Sequence, residues 1–113
     1  MQSFLNKVSH TLSDVLLKDI RIFDFRGHSP FYDYQIVASG TNERQVHAAI
    51  EHIKKALDKE QIRDIVGGDK NRWVCLDLNS IIVHVMHEED RGFYNIEELF
   101  IEKEEVFIED VNV

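Results

Sequence analysis

Cys75 and His84 are the residues of this chain whose types most directly suggest catalysis. Both lie in β-rich segments, and a two-residue turn at Asn79-Ser80 would place them opposite each other on a hairpin, as a cysteine nucleophile and its histidine base require. A nucleophilic cysteine also needs an exposed, electropositive setting. Because a cysteine on a strand more often serves as a small apolar filler, both interpretations stay open.

A metal site is a second hypothesis, drawn from His84, His87, Glu88, Glu89 and Asp90. Residues three apart in a strand point to opposite faces, so the two histidines converge only if the strand breaks between them. The alternative is a semi-buried histidine held by a hydrogen bond, beside a loop whose acids cap the next helix. We predict that the chain has no metal site.

Nucleotidyl transfer is a third hypothesis, because Ser39-Gly40-Thr41 lies between a β-rich run and a helical one. Such enzymes hold phosphates with a Gly-Ser turn and hold Mg²⁺ with two carboxylates that are two residues apart on a strand. Asp77 is a candidate for the first carboxylate, but Asn79 occupies the second position. We therefore predict a related fold without that chemistry and without a cofactor.

The hairpin that carries these residues has two different faces. With the turn at Asn79-Ser80, one face is wholly aliphatic and belongs in a core, through the pairs Leu78 with Ile81, Leu76 with Val83 and Val74 with Val85. The other face is mixed, through the pairs Asp77 with Ile82, Cys75 with His84 and Trp73 with Met86. An aromatic centre with a charged edge is typical of a protein-binding surface. The alternative is that the helix predicted over 3–17 or the helix predicted over 42–59 covers this face and makes it part of the core.

Hydrophobic spacing predicts the elements that position the hairpin. These are a helix over 3–17, strands over 20–25 and 34–39, a helix over about 42–59 with Thr41 as its N-cap, an edge strand over 62–66, a polar loop over 67–71 and a short helix over about 91–100. This order predicts an α/β fold with a single mixed sheet of four to five strands and flanking helices. Residues 1–113 are expected to form one domain with a core over about 3–100. The charged extension over 101–113 is either disordered or an extra strand or helix that docks on a neighbour.

Length and composition limit the classes of protein to consider. The chain has 113 residues, enough for one domain that folds without disulfides, and its single cysteine suits the reducing cytosol. No apolar run approaches the ~20 residues that span a bilayer, and the N-terminus lacks the pattern of a secretory or transit segment. We expect a cytoplasmic protein that does not bind membranes.

The net charge of −8 is concentrated in the last quarter of the chain. Residues 88–113 contain ten Asp or Glu against Arg91 and Lys103, whereas residues 1–87 contain eleven acids and eleven bases. A chain without a basic stripe is a poor candidate for nucleic-acid binding, so no direct sequence-specific binding of nucleic acid is expected. A basic protein surface is the predicted partner, and a solvated acidic surface that keeps the protein soluble is the alternative.

From about Asp19 to Phe100 the chain resembles the Iojap-related ribosomal silencing factors. The motifs that carry the resemblance are residues 33–41 (DYQIVASGT), 44–46 (RQV), 73–78 (WVCLDL), 82–86 (IVHVM) and 91–100 (RGFYNIEELF). The chain departs from the family in three places: Asn79-Ser80 replaces the usual Gly-Asp turn, Phe100 replaces the common Trp, and the tail from Ile101 is longer. The turn change is sterically mild because Asn tolerates positive φ.

The resemblance implies a nucleotidyltransferase-like fold and a repressor of translation that is not an enzyme. Members of the family bind the large ribosomal subunit through its fourteenth protein, on the face that meets the small subunit, and block joining by steric exclusion. They act when nutrients are scarce and during subunit maturation. Applied to this chain, the expected docking residues are Trp73, Leu76, Asp77, Met86, Glu88 and Glu89, with Arg91 and Tyr94 bracing the short helix.

Alternatives stay open for one docking residue and for the function. Leu76 fits the docking set least well, since the hairpin register turns it toward the core. The competing functions are a small nucleotidyltransferase-like or Cys/His enzyme, and a module that forms a homodimer through the same face.

Overall fold

The computed structural model of the protein describes residues 2–67 and 72–112, which form three α-helices and a six-stranded sheet. The elements in chain order are α1 (Gln2–Asp14), β1 (Lys18–Asp24), β2 (Tyr34–Gly40), α2 (Glu43–Ala56), a 3₁₀ turn (Lys59–Gln61), β3 (Asp64–Val66), β4 (Trp73–Asp77), β5 (Ile81–His87), α3 (Glu88–Tyr94), a 3₁₀ helix (Ile96–Phe100) and β6 (Glu104–Val106). Most of the predicted loop over 67–71 lies outside the described residues.

The strand order is β3-β4-β5-β2-β1-β6. The central strands β2 and β5 are parallel, and the other neighbouring strands are antiparallel, which confirms the predicted mixed α/β sheet. The predicted count of four to five strands is wrong, because β6 from the acidic extension pairs with β1. Val106, Ile108 and Val111 pack against the main core, and this apolar contact accounts for the docking of the extension at the sheet edge.

Helices α1 and α2 cover one face of the sheet and enclose the main core. Their buried side chains are Leu5, Val8 and Leu12 from α1 and Val46, Ala49, Ile50 and Ile53 from α2. The N-cap of α2 is Asn42 rather than the predicted Thr41, because the Asn42 side chain accepts a hydrogen bond from the N–H of Gln45 at 2.8 Å. Among the described helices, none combines the length and the apolar character needed to cross a membrane.

The hairpin of β4 and β5 has the predicted register. Its Cα partners are Trp73 with Met86, Val74 with Val85, Cys75 with His84, Leu76 with Val83 and Asp77 with Ile82. The N–H of Leu78 donates to the carbonyl of Ile81 at 2.9 Å, and Asn79 has a φ of 70°, a left-handed conformation that asparagine tolerates. The predicted edge strand is β3, which pairs with β4.

The second face of the sheet is covered by α3 and the 3₁₀ helix that follows it. Six buried side chains form a smaller core there: Phe23, Phe25, Val37, Met86, Ile96 and Phe100. The predicted helix over 91–100 is two helices because Asn95, with a φ of 50°, ends α3 and its N–H donates to the carbonyl of Arg91. This smaller core supports the mixed face of the hairpin.

Candidate protein-docking surface

Trp73 begins β4 on the face of the sheet opposite to α1 and α2, and its side chain is partly exposed. The ring of Tyr94, from α3, lies 5.5 Å from the indole, centre to centre, at an angle of 44°. Tyr94 itself remains 55% exposed. The indole is therefore flanked by a residue of its own chain without being sealed beneath a helix.

The exposed aromatic surface continues along α3 to Phe93. Its ring meets that of Tyr94 edge to face at 5.1 Å, and 82% of its surface is exposed. We call Trp73, Phe93 and Tyr94 the aromatic patch. Contiguous exposed apolar side chains mark interaction sites more often than scattered ones do. Phe93 is absent from the predicted docking set, although two successive aromatic residues after Gly92 in a short helix are a signal that both cannot face the sheet.

Beneath the aromatic patch runs a chain of hydrogen bonds between polar side chains. The indole N–H of Trp73 donates to Nδ1 of His84 at 3.3 Å, and Nε2 of His84 lies 2.9 Å from Oε1 of Gln35. The amide nitrogen of Gln35 donates to the hydroxyl of Tyr32 at 3.1 Å. Burial lowers the pKa of His84 to about 4, so the imidazole is neutral at pH 7.

Acidic residues lie at the start of α3, the helix that carries Phe93 and Tyr94. Glu88 and Glu89 are both exposed in the first turn, where the helix dipole favours negative charge. A carboxylate oxygen of Glu89 lies 3.6 Å from a guanidinium nitrogen of Arg72. Asp77, the third predicted acid, is partly buried and forms an ion pair with Arg63 at 2.7 Å. Glu88 and Glu89 are therefore open to solvent, although Glu89 lies beside Arg72. The carboxylate of Asp77 is engaged more closely, by Arg63.

Arg91 is buried, with 6% of its surface exposed, and it connects α3 to the sheet. One guanidinium nitrogen donates to the carbonyl of Asp19 at 2.6 Å and to the hydroxyl of Ser39 at 2.8 Å. Its Nε lies 3.3 Å from the carboxylate of Glu97. A bulge in β1, where Asp19 has a φ of 49°, accompanies this contact. The geometry is that of a brace for α3 rather than of a surface contact.

The structure corrects the expectation that Leu76 and Met86 face a partner, because both are 0% exposed. Leu76 belongs to the main core on the helix-covered face, as its place in the register indicated. Met86 does lie on the mixed face, but it is enclosed with Phe23 and Phe25 in the smaller core. Spacing along a strand fixes the face of a residue but not what covers that face.

The three catalytic and metal hypotheses find no support in this geometry. Both ring nitrogens of His84 are engaged by Trp73 and Gln35, and burial, with Asp77 and Asp64, raises the pKa of the Cys75 thiol. Ser39 and Trp73 both pair with Met86, so Ser39 lies level with the start of β4. Asp77 lies four residues further along β4, which is about 13 Å along the strand direction. Within residues 2–67 and 72–112, no group of three His, Cys, Asp or Glu side chains is arranged to hold a metal ion.

The chain is similar to known proteins over most or all of its length. The whole chain, residues 1–113, matches the family described as "Ribosomal silencing factor during starvation". Ribosomal silencing factor RsfS of Bacillus subtilis is 34% identical over 101 residues, which are 88% of this chain and 86% of that protein. Mitochondrial assembly of ribosomal large subunit protein 1 of Mus musculus is 30% identical over 88 residues, which are 74% of this chain and 39% of that protein.

A solved structure shares the fold. The crystal structure of a Bacillus halodurans protein superposes with a TM-score of 0.83 at 27% sequence identity, covering 96% of this chain and all of that one. The family match over the full length and the relative of 34% identity together confirm the resemblance found in the motifs. The chain belongs to the family of ribosomal silencing factors.

Proposed function

We propose that the protein binds the large ribosomal subunit through that subunit's fourteenth protein and thereby blocks joining with the small subunit. The protein would repress translation in the cytoplasm under nutrient limitation, act without catalysis, and take part in subunit maturation. The name of the family refers to silencing during starvation, and the name of the mouse relative refers to assembly of the large ribosomal subunit. Both names support a role in regulating ribosomes. The family resemblance supplies the specific partner.

The observation that carries the proposal is the aromatic patch, together with exposed acids at the start of α3. Trp73, Phe93 and Tyr94 bring exposed aromatic surface from two elements into contact, as the centre of a protein interface does. Glu88 and Glu89 are exposed in the first turn of α3, the helix that carries Phe93 and Tyr94, and negative charge there suits a basic ribosomal protein.

Typical free energies indicate how much the aromatic patch and the acids would each contribute to binding. Removing a central interface tryptophan commonly costs about 2 kcal/mol or more, whereas an exposed ion pair contributes about 0.2–1 kcal/mol. The aromatic patch should therefore determine most of the affinity. The acids should act mainly on the rate of association, because charges at an interface edge steer the encounter.

A subunit-joining assay tests the proposal. Large and small subunits are mixed with and without the protein, and the joined fraction is measured on a sucrose gradient. We expect the protein to sediment with large subunits and the joined fraction to fall. Sedimentation with large subunits and no effect on joining would reject the blocking mechanism, and absence from the large-subunit fraction would reject the partner.

A photocrosslinking experiment identifies the ribosomal protein that is contacted. Phe93 is replaced by a benzophenone amino acid, and the same replacement at Phe107 serves as the control. Phe107 is exposed next to β6, four strands from β4, or about 19 Å across the sheet. We expect the Phe93 probe to crosslink the fourteenth large-subunit protein and the Phe107 probe to give little product. A different principal product from the Phe93 probe would contradict the assignment.

A further inference from the structure

His84 joins the aromatic patch to the centre of the sheet. It lies diagonally across the β4–β5 ladder from Trp73, since its Cα partner is Cys75. Its ring centre is 6.0 Å from that of Trp73 and 6.4 Å from that of Phe100. The imidazole thus packs between the partly exposed indole and the smaller core, and it forms hydrogen bonds with Trp73 on one side and Gln35 on the other.

The direction of the hydrogen bonds follows from the indole. An indole N–H can only donate, so Nδ1 of His84 must accept and the hydrogen of the neutral ring lies on Nε2. Nε2 then donates to Oε1 of Gln35, whose amide nitrogen donates to the hydroxyl of Tyr32. Each hydrogen bond in this series thus fixes the tautomer or the amide orientation of the next side chain.

The bond to His84 also decides what the indole offers to a partner. The N–H of Trp73 is already engaged, and the Tyr94 ring packs against the indole. The part of the indole left for contact is therefore apolar. A side chain held in one orientation before binding loses less conformational entropy when a partner covers it.

We propose that His84 is a positioning residue for docking, which holds the Trp73 indole in its binding orientation without itself contacting the partner. This inference rests on the proposed function, because it concerns affinity for the large subunit. The single juxtaposition that carries it is the partly exposed indole hydrogen-bonded to an imidazole that is bonded in turn to Gln35.

The test compares His84→Phe, which keeps a ring but removes both hydrogen bonds, with His84→Asn, whose carbonyl oxygen can still accept from the indole. His52→Phe is the matched control, since His52 is exposed on α2, which packs on the opposite face. Trp73 is the only tryptophan in the chain, so intrinsic fluorescence reports on this indole alone. Acrylamide quenching and anisotropy of this fluorescence are measured beside affinity for isolated large subunits, with circular dichroism to verify the fold.

We expect His84→Phe to increase quenching, lower the anisotropy and weaken binding about fivefold, the equivalent of one net hydrogen bond. The affinity of His84→Asn should stay within about twofold of that of wild type, because the hydrogen bond from the indole is kept. His52→Phe should match wild type in both fluorescence and affinity. A merely structural role would change unfolding but not the indole signals of a folded variant.

A folded His84→Phe protein with unchanged quenching, or with increased quenching and unchanged affinity, would overturn the inference. If His84→Phe does not fold, Gln35→Met replaces it in the test. This variant leaves His84 in place but removes the acceptor for Nε2, and it is judged by the same changes in quenching and in affinity. Wild-type protein that fails to bind large subunits would reject the proposed function itself. If wild type binds large subunits and the variants bind them with the same affinity, only the role of His84 is rejected.

Discussion

Tyr94 of α3 and Trp73 of β4 lie in ring contact, with centres 5.5 Å apart, although 21 positions separate them in the chain. The aromatic patch therefore exists only while α3 is docked on the sheet. Arg91 holds α3 there through Asp19 and Ser39, so a buried cation and an exposed aromatic surface depend on each other.

Replacing Arg91 with Met should destabilise the protein by about 2 kcal/mol, because the buried Ser39 hydroxyl loses its hydrogen-bond donor and the partly buried Glu97 carboxylate keeps, among the described residues, only Arg21 as an ionic partner. The carboxylate of Glu97 and the hydroxyl of Ser39 would lose their contacts with Arg91. Urea unfolding measures the loss. Arg26→Met is the control, since Arg26 pairs with Asp24 in an exposed position and its loss should leave the midpoint near that of wild type. Equal midpoints for the two variants would contradict the bracing role of Arg91.

The stability of the protein should fall on mild acidification because of His84. Burial holds its pKa at about 4 in the folded state, against 6.5 for an ordinary histidine, so between these values the unfolded chain binds a proton that the folded protein does not. From about pH 7.5 to about pH 5 this loss amounts to about 2 kcal/mol. Below the folded pKa this group causes no further loss.

Urea unfolding of wild type and His84→Asn at the two pH values isolates this contribution. The difference between the two proteins in their pH dependence removes the effect of every other titrating group. Wild type should lose more stability than the variant as the pH falls. Parallel pH profiles would show that His84 is not held neutral in the folded protein.

Neutralising Glu88 and Glu89 together, as Gln, should weaken binding to large subunits by about two- to fivefold at low salt, since each exposed charge contributes less than about 1 kcal/mol. Most of the change should appear in the association rate. At raised salt the variant and wild type should converge, because the charges are screened. Glu109→Gln with Asp110→Asn, an exposed acidic pair in the extension, provides the control. An equal effect from both pairs would indicate a dependence on net charge alone.

The Cys75 thiol should react slowly with an alkylating reagent in the folded protein, because its burial, with Asp77 and Asp64 nearby, raises its pKa. Mass spectrometry follows the modification in native buffer and in denaturant. Cys75→Ala should bind large subunits as wild type does. Rapid alkylation of the native protein, or loss of binding in the variant, would favour the competing hypothesis of a Cys/His enzyme.

The register of the hairpin was predictable because local chemistry determines it. Asn79 accepts the left-handed conformation of the turn, and the alternation of side chains then fixes every pair from Trp73 to Asp77. The mixed character of one face followed directly. The same reasoning placed Trp73 beside Met86 without establishing which of them is exposed.

The covering of that face was not predictable from spacing. Met86 is buried because α3 and the 3₁₀ helix dock over it, and this docking depends on Arg91 reaching the carbonyl of Asp19, 72 positions away. A contact so distant in sequence leaves no periodic signal. For the same reason the three-residue strand β6 was one of several outcomes expected for the extension rather than a definite prediction.

The affinity of Trp73→Ala for isolated large subunits, compared with that of Phe107→Ala, tests the central claim most directly. Both variants remove an aromatic ring, a partly exposed one within the aromatic patch and an exposed one at the far edge of the sheet. We predict that Trp73→Ala, verified as folded by circular dichroism, binds about 30-fold more weakly, the equivalent of about 2 kcal/mol, while Phe107→Ala stays within about twofold of wild type. Equal affinities for the two folded variants would contradict docking through the aromatic patch.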